Sequence, residues 1–214
     1  MCTRYYMELS PESRPYIDRA FHSPLKDRMV AKMGRPLVTE GEVRPTDIAP
    51  VVAPDNSHRP TVYPMIWGFT NPREGGNPLV NCRVETAGFK PFWRESWQRR
   101  RCIIPCSYYF EWEHYTTIKG EKKAGQKYMI QPTGALITYL AGLYDIEEWD
   151  GLKYPVFTVL TREPGEEIAF IHNRMPVILP PGMATDWTNP RYAAEDMLRH
   201  AVVDVAYARA EGDA

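Results

Sequence analysis

Cys2 stands second in the chain, and its chemistry depends on what precedes it. With Met1 attached it is a small thiol at the head of a strand, suited to burial. With Met1 removed, an α-amine of pKa roughly 7.7–8.0 sits beside a thiol of roughly 8.5. Such a 1,2-aminothiol condenses with an aldehyde to an imine. The sulfur then closes on the same carbon, giving a five-membered thiazolidine. The same terminus also suits an N-terminal-nucleophile hydrolase acting on a small amide, its own amine serving as base.

Other segments hold further reactive or charged side chains. Read as a strand, Asn81-Cys82-Arg83-Val84-Glu85-Thr86 turns Asn81, Arg83 and Glu85 to one face and Cys82 and Val84 to the other. That is the pattern of a site wall and equally of a half-solvated strand. Glu111 lies between Phe110 and Trp112. Facing inward, it gains a raised pKa by desolvation and suits general acid–base work; facing outward, it is a solvated carboxylate. His172, in Ile171-His172-Asn173-Arg174-Met175-Pro176-Val177, reads as a proton shuttle or as a structural histidine. Between Arg83 and Arg101, six basic residues outnumber two acidic ones, with Trp93 and Trp97 among them. This composition suits single-stranded nucleic acid, or a solvated helix face over core tryptophans. Cys102 and Cys106 have the spacing of a zinc half-site, but no second close pair accompanies them, so no metal is expected. No phosphate-binding or dinucleotide glycine loop is present, and no cofactor is expected.

The elements that must carry these groups are short. Residues 1–10 read as a strand ended by Ser10-Pro11, and Ser10 caps a helix running to about Ala20. A second helix follows Ser23-Pro24, with Leu25, Met29 and Met33 at fourfold spacing and Gly34 as its stop. Residues 42–53 form extended pieces broken by Pro45 and Pro50. Strands are expected over 63–69, 79–84, 102–106, 108–112, 128–131, 135–143, 154–160 and 176–179. Helices are expected over 90–100, 163–170 and 191–201, a charged hairpin loop over 119–127, and a frayed tail over 209–214.

Composition bounds the class. The 214 residues are 43% apolar and 25% charged, ordinary globular usage, with 20 prolines against 14 glycines. Strands dominate without regular βαβ alternation. The fold class expected is therefore α+β: a single domain over 1–208 with a mostly antiparallel, barrel-like sheet core and flanking short helices. Twenty-six Lys and Arg against 27 Asp and Glu leave a net charge of −1, so a polyanion must be met by a local basic patch. The apolar runs are far shorter than the ~20 residues of a membrane helix. No apolar run follows the first residues to serve as a leader, and the four cysteines read as reduced thiols, so a cytoplasmic protein is expected.

An ordered set of motifs resembles the SRAP family, the SOS-response-associated peptidase or abasic-site processing proteins. The set is Met1-Cys2-x-Arg4-Tyr5, Pro64-Met65-Ile66-Trp67-Gly68-Phe69, Asn81-Cys82-Arg83-Val84-Glu85-Thr86, Arg101-Cys102-Ile103-Ile104-Pro105 with Tyr109-Phe110-Glu111-Trp112, Ala141-Gly142-Leu143, Thr158-Val159-Leu160-Thr161 and His172-Asn173-Arg174-Met175-Pro176-Val177. The resemblance implies a monomer that binds abasic sites in single-stranded DNA, nucleoid-associated during DNA damage. It implies a thiazolidine crosslink between the processed Cys2 and the ring-opened sugar aldehyde, a lyase-like activity accompanied by peptidase processing of the N-terminus. On that resemblance Cys2 is the nucleophile, Glu111 the acid/base, His172 its proton-transfer partner, and Asn81 the group holding the N-terminus or sugar. Arg4, Arg83 and Arg174 are then phosphate contacts, with Trp67 and Gly68 at the DNA-binding cleft. Thr3, Phe69 and Cys82 depart from the residues usual in the family at those positions.

Overall fold

A computed structural model describes residues 2–116 and 120–210. In chain order the first half holds β1 (Arg4–Met7), α1 (Arg14–Phe21), α2 (Pro24–Met33), β2 (Gly41–Val43), β3 (Ile48–Pro54), β4 (Pro60–Trp67), β5 (Asn81–Arg83), α3 (Val84–Ala87) and α4 (Pro91–Arg99). The second half holds β6 (Arg101–Cys106), β7 (Tyr108–Thr116), β8 (Lys122–Pro132), β9 (Thr138–Trp149), β10 (Leu152–Arg162), β11 (Met175–Pro176), β12 (Ile178–Leu179), α5 (Ala184–Thr188), α6 (Ala194–Leu198) and β13 (Val205–Arg209).

Five of these strands close on themselves. β10 pairs in parallel with β4, and antiparallel pairings run on from β4 to β3, β6, β9 and back to β10. Closure leaves these five without an open edge. β3 crosses Pro50 and Pro54 unbroken because they face Pro64 and Pro60. Proline has no N–H to give, and both pairs fall at alternate positions where the ladder needs none. The expected break at Pro50 is thus absent from the seven-residue β3, whereas Pro45 does break the chain, in the turn between β2 and β3. Beyond Val159 the β9–β10 pairing ends. The chain at 175–179 wedges in there, β11 on β10 and β12 on β9.

A second sheet runs β13-β8-β7-β1-β2. Alternation along β1 turns Tyr5 and Met7 inward. There they meet Cys2, Trp67, Cys106, Tyr109, Ile130 and Phe157 in the main core. A second core gathers Trp93, Trp97 and Trp187 beneath α4 and α5. Trp93 and Trp97 are thus core residues, not stacking platforms for bases.

Several boundaries differ from expectation. The first helix starts at Arg14, one turn later than expected, although Ser10 makes cap-like bonds to that turn, its hydroxyl accepting from the Ser13 N–H and its carbonyl from the Arg14 N–H. The expected 79–84 strand is only three residues long, and Glu85 lies on α3 rather than on the strand face of Asn81. The expected 163–170 helix is one 3-10 turn over Glu166–Ile168. Arg209, expected in a frayed tail, pairs with Tyr128 as the last residue of β13. Residues 211–214, Met1 and residues 117–119, of which 119 begins the expected hairpin loop, lie outside the described residues. Among the described residues no helix is long and apolar enough to cross a membrane.

Candidate active site

Cys2 is fully buried just ahead of β1. β1 pairs with β7 so that Arg4 faces Phe110. Continued outward, that register carries Thr3 toward Glu111 and Cys2 toward Trp112. Across the core, β5 leaves Asn81 aimed at the same spot, and its Nδ2 donates to the Cys2 carbonyl at 2.8 Å. Burial pushes the Cys2 thiol pKa up, and the Glu111 carboxylate nearby pushes it further. The sulfur is therefore a neutral S–H at neutral pH.

The approach of Asn81 is built by Trp67 and Gly68. Trp67 is fully buried, lies parallel to Phe157 at 5.9 Å and donates from Nε1 to the Val80 carbonyl at 3.0 Å. Val159 donates to the same carbonyl. Gly68 has φ +124°, and a Cβ there would lie 2.7 Å from the Pro78 Cβ. Only glycine lets the end of β4 pass so close to the segment that delivers Asn81. Both residues, expected at the DNA-binding cleft, are buried and position Asn81.

Glu111 faces inward beside Tyr109 and is only 3% exposed. Burial raises its pKa above the ordinary carboxyl range. Of the two orientations left open by the sequence, this is the one that suits acid–base work. His172 sits in the turn after the Glu166–Ile168 helix. Its Nδ1 accepts from the Arg174 backbone N–H at 2.9 Å. Burial holds its pKa down at about 4, with His114 beside it acting in the same direction, so the ring is neutral at neutral pH. The two imidazole rings meet edge to face at 4.7 Å.

His114 escaped the sequence reading, because strict alternation along β7 sets it on the face opposite Glu111. The β7–β8 register slips between Trp112 and His114. Such irregularities re-aim a side chain, and ligand atoms of Glu111, His114 and His172 all lie within 4.8 Å of one another. The only signal was a histidine three residues beyond Glu111.

The three arginines expected at phosphates separate. Arg83 is exposed at the end of β5. Arg4 lies against Glu42 at 3.5 Å, where Arg44 and Lys127 also converge. Arg174 is 9% exposed and held at its end: Nη1 and Nη2 grip both Glu85 oxygens at 2.7 and 2.9 Å, and Nη2 also donates to the Thr161 carbonyl at 2.6 Å. It is a strut between α3 and β10, not a free phosphate ligand. Cys102 and Cys106 are buried in β6 with their pKa values pushed up by desolvation, and Cys82 is likewise pushed up to about 12. The Cys2 thiol is pushed up by the same burial, so thiol pKa does not set Cys2 apart from these three.

The SOS response associated peptidase (SRAP) family model matches residues 1–211. Abasic site processing protein YobE of Bacillus subtilis (strain 168) is 30% identical over 173 residues, 75% of this chain and 75% of that one. Abasic site processing protein YoaM of the same organism is 33% identical over 140 residues, and the match spans 62% of this chain and 59% of that relative's length. Abasic site processing protein HMCES of Xenopus tropicalis is 27% identical over 148 residues, 58% of this chain and 43% of that one. Among solved structures, a phage-related protein from Bordetella bronchiseptica superposes with a TM-score of 0.69 at 20% identity, covering 99% of this chain and 95% of that one. That likeness concerns the fold.

Proposed function

The chain belongs to the SOS response associated peptidase family, and from that premise we propose that it processes abasic sites in single-stranded DNA by a covalent crosslink through Cys2. The observation that carries the reading is the 2.8 Å bond from Asn81 to the Cys2 carbonyl, which fixes the first reactive residue beside a buried carboxyl and a neutral imidazole. The relatives' names supply the substrate class.

Met1 leaves first. While it is attached, the Cys2 nitrogen is an amide whose lone pair is delocalised, and it forms no imine. Cys2 has no exposed surface in this structure. The freed amine then adds to the C1′ aldehyde of the ring-opened sugar, giving a carbinolamine. Protonated Glu111 donates to the departing hydroxyl and water leaves, forming the imine. The S–H adds across the C=N bond: sulfur bonds to C1′ and the proton passes to nitrogen. One water is lost overall. His172, neutral with Nδ1 engaged, relays protons through Nε2 and assists reversal. Arg83 contacts a phosphate, and the protein acts as a monomer.

The competing reading is hydrolysis of a small amide by the same terminus, with no DNA. An SDS-stable adduct between the trimmed protein and an abasic single-stranded oligonucleotide, absent in Cys2→Ala, is the expected result. No adduct, or an undiminished one in Cys2→Ala, refutes the proposal.

A further inference from the structure

Glu111, His114 and His172 together form a donor set that needs no thiol. One is a carboxylate and two are imidazoles, and their ligand atoms lie within 4.8 Å of one another. A tetrahedral zinc with bonds of about 2.0–2.2 Å holds its ligand atoms roughly 3.3–3.5 Å apart. The set must therefore contract by about 1.5 Å at most, a movement within reach of side-chain rotation at exposed His114. The other two are already fixed. Glu111 is buried on β7, and Nδ1 of His172 lies against the Arg174 backbone, 2.9 Å from N and 3.3 Å from O.

With Nδ1 turned to the backbone, an ion takes Nε2 of His172. The ring proton then moves to Nδ1 and donates to the Arg174 carbonyl, now 3.3 Å away, in place of the 2.9 Å bond that Nδ1 accepts from the Arg174 N–H without the ion. A backbone carbonyl is a common outer partner of a ligating histidine. The His114 backbone N–H donates to the Ile171 carbonyl at 3.2 Å, which ties the two histidine-bearing segments together. A cleft of about 480 Å³, lined by His114, Tyr115, Phe170, His172 and Asn173, opens beside them. It leaves room for water at a fourth position.

We propose that Glu111, His114 and His172 bind a divalent cation of the zinc class, and that the bound ion blocks crosslinking by engaging Glu111 and His172. The block rests on the function proposed above; the ion site does not.

The test uses Met1-trimmed, EDTA-treated protein with zinc chloride followed by calorimetry and cobalt chloride by absorption. Wild type, Cys2→Ser, His114→Ala and His114→Gln are compared after equal melting temperatures are checked. One ion per chain is expected in wild type and in Cys2→Ser, about tenfold or more weaker in both His114 variants. Bound cobalt should lack a thiolate charge-transfer band. Stoichiometric zinc should slow wild-type crosslinking about tenfold or more, reversibly with EDTA, while His114→Ala crosslinks normally without zinc and resists it. Binding lost in Cys2→Ser and kept in His114→Ala, or a thiolate band, puts the ion on the aminothiol and overturns the site. No ion bound by wild type overturns it too. If EDTA-treated wild type never crosslinks, the function is wrong, and the titration still decides the site.

Discussion

Replacing Arg174 by alanine separates a structural strut from a DNA ligand. The side chain is nearly buried, whereas its partner Glu85 has 45% of its side chain exposed. Discounting for solvent, the Glu85 pair contributes about 0–1 kcal/mol. The 2.6 Å bond to the Thr161 carbonyl is charge-assisted and enclosed, and contributes about 1.5–3 kcal/mol. Arg174→Ala should therefore cost roughly 1.5–4 kcal/mol, a fall in melting temperature of roughly 3–16 °C for a chain of this size. Its effect on DNA should be different in kind. With three to five phosphates neutralised, log K for abasic single-stranded DNA falls with log salt at a slope of about −2 to −3.5. Arg83→Ala should flatten that slope by about 0.7 at unchanged melting temperature. Arg174→Ala should leave the slope unchanged at a temperature where it is folded. Fluorescence anisotropy across a salt series, with thermal melts on the same samples, reads both quantities. A slope flattened by about 0.7 in Arg174→Ala with no loss of stability would refute the strut and make the residue a phosphate contact.

Further outcomes are expected at neighbouring positions. Glu111→Gln should slow adduct formation by about 10²–10⁴-fold with DNA affinity unchanged, and single-turnover gel kinetics measure it. In wild type the rate should decline as pH rises through the raised Glu111 pKa, and Glu111→Gln should lack that limb. Asn81→Ala frees the Cys2 carbonyl and should slow the same step by about tenfold or more, with a stability loss near ~1 kcal/mol in a denaturant titration. Gly68→Ala forces a Cβ against Pro78 at a positive φ and should cost about 1–3 kcal/mol, where an unchanged melting curve would contradict the close approach. The folded-state pKa of His172 is depressed, so its neutral form stabilises the fold. That contribution is complete above about pH 6.5 and is lost as pH falls toward about 4, so His172→Gln should flatten the acid limb of stability against pH.

Local pattern reached the elements whose reasons are local. α2 ends at Gly34 in the left-handed conformation, where fourfold apolar spacing and the glycine had put its stop. The β-branched and aromatic runs became β9 and β10, and the barrel-like α+β class follows from such runs. Glu111 was legible as a candidate because a carboxylate amid aromatics has only two orientations to choose between. What stayed hidden depends on partners distant in sequence. β13 buries only Val205 and is a strand only because β8 offers an edge. Arg174 reads like any solvated arginine until Glu85 turns out to lie on a helix across from it. Trp67 is placed at the cleft by the family resemblance alone, and its indole N–H partner, the Val80 carbonyl, comes from another strand connection that local pattern does not show. The metal reading weighed chiefly thiols, while the clustered donors come from β7 and from the distant turn holding His172, and meet through a register slip.

The central claim is that the amine and thiol of a freed Cys2 capture an aldehyde together. Intact-mass spectrometry of two samples, the Met1-bearing chain and the Met1-trimmed chain, each confirmed by mass before incubation with abasic single-stranded oligonucleotide, tests it most directly. The trimmed chain should gain the mass of the oligonucleotide less one water and keep it through mild acid. The Met1-bearing chain should bind the DNA without any covalent gain. Equal covalent gain by both chains would contradict the thiazolidine and the account built on it.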